Sequence, residues 1–154
     1  MKYTRFEELP VSLAATGLAV RVFALGAKPP LRRQRALRDQ IERAAVSIGN
    51  NIAEGFERGT TQELLTFLYV ARGSAGEVRS MLCLMERISD FADLKSEISN
   101  LKSSAEAVSR QLRAWAQSLQ DSPIKGTRYL TSKNRKMDQA RRERDAFIQE
   151  LKQH

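Results

Sequence analysis

Apolar residues recur along most of this chain at steps of three and four, the rhythm of helices with one buried face. After Leu9-Pro10, where proline suits a first helical turn, Val11, Ala14, Leu18, Val22 and Leu25 draw a stripe up to Gly26. Gly26 and Pro29-Pro30 predict its stop, with glycine as the cap and the prolines blocking continuation. A second helix is predicted from about Leu31 to Arg58, with Leu37, Ile41, Ala44, Ile48 and Ile52 as its apolar line and Gly55 and Gly59 at its end. Gly49 lies inside that helix at a cost of about 1 kcal/mol against alanine, for which close helix approach is the expected reason. Thr60 and Glu63 match a capping box and open a third helix on Leu64, Leu68, Ala71, Ala75, Val78, Leu82 and Met85. A second line on it, Phe67, Val70, Ser74, Glu77, Met81, Leu84 and Ile88, predicts a wide buried face. Ser89-Asp90 breaks the pattern, and a fourth helix follows on Leu94, Ile98, Leu101, Ala105, Val108, Leu112, Trp115 and Leu119. No run reads as a strand, and the connections are short. The expected fold is therefore all-α, an antiparallel up-down-up-down four-helix bundle with a basic C-terminal extension.

A polar stripe runs beside the apolar line of the second helix: Gln40, Arg43, Ser47, Asn51 and Glu54. Buried polar groups are costly unless paired, so this edge predicts a satisfied structural network, completed by Arg72, Ser74 and Glu77 of the third helix. A carboxylate beside arginine would be held there by charge-assisted hydrogen bonds. Removing Glu54 from such a network is expected to unfold the bundle or scramble its assembly.

Residues 1–121 are expected to form the bundle domain, large enough to bury a core without staples. Residues 122–154 read as a linker around Ser122-Pro123 and Gly126, then a basic tail that is helical or orders on contact. The 154 residues carry a net charge of +8, and the excess is uneven. Residues 1–121 hold 17 basic and 14 acidic side chains, whereas 122–154 hold 9 and 4. Such a balance favours anionic partners, nucleic acid first and a membrane surface much less so. No window comes near the roughly 18 apolar residues of a membrane span, and the first ten residues lack a signal-peptide core. With Cys83 as the single cysteine, a disulfide framework is excluded and a cytoplasmic location is expected. Cys83, between Leu82 and Leu84, reads as a buried inert thiol.

Catalytic chemistry finds little to work with. The one histidine is His154, so no histidine-based triad is available within the helices. Glu54 and Glu77 could face each other, but carboxylate-bridged metal sites in bundles also need Glu-x-x-His pairs, which are lacking. Neither an enzyme, a metal nor a cofactor is expected. Two basic clusters are the candidates for phosphate contact: Arg32, Arg33, Arg35 and Arg38 beside the double proline, and Lys133, Arg135, Lys136, Arg141, Arg142 and Arg144 in the tail. Positive charge at the start of the second helix would oppose its macrodipole, which suggests a duty other than helix stability. Aromatic residues are sparse near both clusters, so backbone contacts with little sequence preference are expected.

The string Q-I-E-R-A-A-V-S-I-G-N-N-I-A-E-G from Gln40, followed by E-L-L-T-F-L-Y-V-A-R-G-S-A-G-E-V from Glu63, resembles the 23S ribosomal RNA intervening-sequence proteins, a four-helix-bundle family. The resemblance covers roughly residues 5–120, with Gly49 replacing the family's usual proline after Ser47-Ile48 and the tail lying outside it. It implies a ring-like homo-pentamer similar to the accessory protein of diversity-generating retroelements, a basic barrel that binds nucleic acid and a reverse transcriptase. It implies no reaction. The expected function is a non-enzymatic, oligomeric nucleic-acid-binding scaffold contacting phosphates, of structured RNA rather than DNA. The alternative is a protein-interaction adaptor, such as an accessory subunit of a reverse transcriptase or other nucleic-acid enzyme.

Overall fold

The structure is a computed structural model that describes residues 3–122 and 132–151 and is all-helical. A single 3-10 turn (Phe6–Glu8) leads into α1 (Pro10–Ala27), which has proline in its first turn. A short α2 (Pro29–Arg33) precedes α3 (Arg35–Glu57). Then come α4 (Thr61–Glu86), a second 3-10 turn (Ser89–Leu94), α5 (Lys95–Asp121) and α6 (Ser132–Leu151). Most of the predicted linker, from residue 123 to 131, lies outside the described residues.

Four long helices enclose the core. α3 packs on α1 and α4, and α5 packs on α4 and α1. Their stripes meet as the spacing requires: Leu18, Val22 and Leu25 of α1 and Ile41, Ile48 and Ile52 of α3 are buried. So are Leu64, Leu68, Ala75, Val78 and Leu82 of α4 and Ile98, Leu101, Ala105 and Leu112 of α5. Leu31 of α2 and Phe91 of the second 3-10 turn are buried alongside them.

The continuous helix expected over 31–58 is two helices. Pro29 and Pro30 pre-set the first turn of α2 rather than only ending α1. Gln34 then leaves helical backbone at φ −96°, ψ 66°, which lets Leu31 enter the core before α3 sets off. Arg32 and Arg33 consequently stand in the last turn of α2, where cations complement the exposed carbonyls. The wide face expected on α4 is also narrower: Ser74 is buried, but Val70 and Leu84 are about half exposed. Cys83 is exposed, not buried, because it falls outside the buried stripe through Val78, Leu82 and Met85.

Between α3 and α4 the chain reverses at Gly59, whose φ of 85° is the left-handed region that glycine enters without steric cost. Thr60 caps α4 by accepting the Glu63 amide at 3.2 Å. Its hydroxyl also donates to the Glu63 carboxylate at 2.7 Å, so here the glutamate accepts from the threonine side chain. The close approach lies at Gly55. A Cβ there would sit 2.7 Å from Cβ of Phe67 and 3.2 Å from Cδ1 of Leu64. At Gly49 no atom of another helix lies within 4 Å of such a Cβ, so the close contact expected at that position is absent.

α1 corrects a further expectation. Its 18 residues have a mean hydropathy of 1.5 and are long and apolar enough, by length and composition, to cross a membrane. Alanine, glycine and threonine dilute the pattern, but Arg21 is its one charge. The core takes 39% of this stretch. Leu13, Val20 and Phe23 lie on the exposed remainder.

These environments predict opposite outcomes for two alanine substitutions. Gly55→Ala should lower unfolding free energy by about 1–3 kcal/mol, because the α3–α4 contact must open. Gly49→Ala should raise it by up to about 1 kcal/mol through helix propensity. Urea denaturation of both variants checks this, and equal effects would contradict it.

Candidate nucleic-acid interface

The polar edge of α3 resolves into a small part-buried cluster and several outward side chains. Ser47 and Ser74 share a hydrogen bond of 2.9 Å across the α3–α4 contact. Asn51 donates to the Ser47 carbonyl at 2.8 Å and to its hydroxyl at 3.0 Å. These three residues come together because their side chains are short enough to remain between the helices. Gln40, Arg43 and Glu77 are exposed and do not join them. Glu54 is also exposed and accepts from Arg58, one turn on, at 2.8 Å. The hydrogen bond with Glu54 holds the Arg58 guanidinium above its usual pKa, and the same group sits 5.3 Å over the Phe67 ring. Arg72 belongs elsewhere: it lies one turn beyond Tyr69, which bonds Gln120 of α5, so it borders α5 rather than α3. The eight-residue network expected from the sequence is therefore a three-residue one. Long charged side chains reach solvent instead of staying in the seam.

The corner where α2 meets α3 gathers Arg32, Arg33, Arg35 and Arg38. Arg38 pairs with its neighbour Asp39 at 3.2 Å. Arg32, Arg33 and Arg35 are exposed and, among the described residues, have no acidic partner. Some other cations are engaged: Lys28 meets Glu97 at 2.5 Å, Lys102 meets Glu86 at 2.9 Å and Arg110 meets Glu106 at 3.4 Å. Arg43, Arg87 and Lys95, like the corner, have no acidic partner among the described residues. The Lys102 ammonium is held above its usual pKa chiefly by its hydrogen bond to Glu86, with the Cys83 thiol adding to the shift.

In the tail, Arg141 and Arg144 are exposed on α6 and both approach Asp145, at 3.9 and 3.0 Å. The side chains of Lys133, Arg135, Lys136 and Arg142 lie outside the described residues. Among the described residues no group of three or more histidine, cysteine, aspartate or glutamate side chains could hold a metal.

An all-helical protein with a small hydroxyl–amide cluster between two helices and free arginines at one corner is thus defined. The chain belongs to the 23S rRNA-intervening sequence protein family, which it matches over residues 7–114. No curated protein matches it. α6 lies wholly outside the matched span.

The geometry reverses the expected weight of two residues. Ser74→Ala leaves the Ser47 hydroxyl short of a partner and should cost about 1 kcal/mol in stability. Glu54→Ala removes only an exposed pair and should leave the unfolding midpoint and the oligomer mass unchanged. Thermal melts with light scattering distinguish the two. A larger loss for Glu54→Ala would restore the buried network.

Proposed function

We propose that this protein is an up-down-up-down four-helix bundle that acts without catalysis, as a self-associating scaffold for the phosphate backbone of nucleic acid, structured RNA ahead of DNA. The observation that carries this reading is the corner at Arg32, Arg33 and Arg35, three exposed guanidinium groups with no acidic partner among the described residues. Guanidinium groups left free in this way are suited to displace counterions from phosphates, a contact that is strong at low salt and indifferent to sequence. The net charge of +8 favours the same partner. A cytoplasmic location is part of the proposal.

Self-association is supported by two outer faces. α1 exposes Leu13, Val20 and Phe23 beside Gly17 and Ala24. Its one charged residue, Arg21, donates to Ser104 of α5. α4 exposes Tyr69, Val70, Gly73 and Leu84, with one carboxylate, Glu77, among them. Among the described residues these two helices do not pack on each other, so the faces look out on different sides. That arrangement suits head-to-tail contact between copies, which forms a ring when the rotation closes. A copy number of five rests on the family resemblance alone. A protein adaptor is the second reading, favoured by the same uncharged α1 face, and a reverse transcriptase is one partner it would suit.

Two experiments test the scaffold. Binding of the full chain to a labelled RNA hairpin across a salt series should show a steep slope. Arg32→Ala, Arg33→Ala and Arg35→Ala together should flatten that slope by about two to three, near 0.9 for each phosphate that is no longer neutralised. No binding by the wild type at low salt overturns the nucleic-acid reading. For assembly, Leu13→Glu with Val20→Glu should reduce the mass in light scattering to a monomer with helicity intact. A wild-type chain that is itself monomeric at micromolar concentration overturns self-association.

A further inference from the structure

The seam between α4 and α5 carries a second set of free arginines, which the periodicity of the sequence does not single out. Two contacts fix how these helices face each other: Tyr69 with Gln120, and Glu86 with Lys102. The residue numbers run in opposite directions, so the helices are antiparallel. Between these contacts, Arg72 and Arg79 lie on the line of α4 that leads to Glu86 at steps of seven. Arg113 lies on the face of α5 shared by Lys102 and Gln120, eleven residues from one and seven from the other. The register places Arg113 midway between Arg72 and Arg79. At about 1.5 Å rise per residue, the three follow one another along the seam at about 5 Å intervals, alternating between helices.

None of the three has an acidic partner among the described residues. On α5, Glu106 is engaged by Arg110 at 3.4 Å and Asp121 accepts from Gln117 at 3.1 Å, while Glu86 of α4 is engaged by Lys102. Arg72 and Arg79 are half-buried. The Arg72 Nε is shut off from solvent without a hydrogen bond, while its terminal nitrogens are not. Packing therefore holds the stem of this guanidinium and leaves its end available, so less side-chain freedom is lost when an anion binds. Across from Arg113 stands Gly76, and nothing lies within 4 Å of where its Cβ would be.

We infer that the α4–α5 seam is a phosphodiester-binding groove in which Arg72, Arg113 and Arg79 hold successive phosphates of one RNA strand. The inference rests on the nucleic-acid reading and adds a site separate from the α2–α3 corner. Like charges in one row repel one another, and a bound polyanion relieves that repulsion. The strand runs along the helices, because the cations are staggered along the seam and not grouped at a point.

The test is fluorescence anisotropy of the full chain with a labelled oligouridylate across a salt series. Arg72→Gln, Arg79→Gln and Arg113→Gln together should weaken binding at least about tenfold and flatten the salt slope by about two, near 0.7 per single-strand phosphate. Gly76→Glu places a carboxylate in the groove without disturbing packing, and should weaken binding while Gly76→Ala does not. Arginine Nε–Hε resonances give a readout that needs no variant: the Arg72 signal should shift on adding the oligonucleotide. Wild-type affinity in both the triple variant and Gly76→Glu, or an unmoved Arg72 signal, overturns the groove. The scaffold reading survives that result if the corner variant still loses binding, whereas a wild type that binds no RNA removes both.

Discussion

The place where α3 and α4 come closest constrains much else. At Gly55 the backbone of α3 lies so near Phe67 and Leu64 that a single added carbon would collide. Gly59 makes that approach possible by turning the chain in a conformation other residues resist, and Thr60 starts α4 at once with its own cap. A hairpin this tight fixes the height of each α4 residue against α3. Further along, at a matching distance from the turn, Ser47 meets Ser74 at 2.9 Å. The hydrogen bond reports the register; the glycine pair sets it.

How much of this is legible in the sequence depends on which physical signal carries it. Burial in a helix core repeats at 3.6 residues, so the stripes through Leu18, Ile48, Leu68 and Leu101 are visible without neighbours. The family follows from the string around Asn51 to Gly55, and the match over residues 7–114 shows it. The split at Gln34 is not visible, because a proline pair is compatible with ending one helix or starting another, and only the burial of Leu31 decides. Gly49 and Gly55 look alike in the sequence. Their difference is the distance to another helix, which no local pattern encodes.

The polar edge shows the same limit for candidate sites. Gln40, Arg43, Ser47, Asn51 and Glu54 share one angular position on α3, and spacing alone assigns them one fate. Side-chain length separates them. Serine and asparagine are short enough to stay half-buried beside the seam and bond each other, while arginine and glutamate reach out and meet partners such as Arg58. Nearness to Ser74 in sequence suggests grouping Arg72 with this edge, but two residues on a helix turn the side chain through about 200°. The arginines of the α4–α5 seam escape a reading of one helix at a time for a related reason. Arg72, Arg79 and Arg113 belong to two helices, and only the pairing of Tyr69 with Gln120 brings them into one row.

Charge completes the argument by its distribution and not by its total. Several cations of the helical region, among them Lys28, Arg58, Lys102 and Arg110, sit beside a carboxylate that screens them from a ligand. Pairs of this kind are worth little to stability. The arginines at the α2–α3 corner and along the α4–α5 seam, together with Arg43, Arg87 and Lys95, have no such partner among the described residues and remain sources of positive potential. The outer face of α1, by contrast, holds no charge besides Arg21, and apolar contact there would cost little desolvation, whereas the α4 face carries Glu77 between Val70 and Leu84. An all-helical chain with an outer α1 face nearly free of charge and free arginines elsewhere can associate through that face without burying the groups proposed to meet phosphate. That separation allows one small all-helical chain to serve both proposed roles at once.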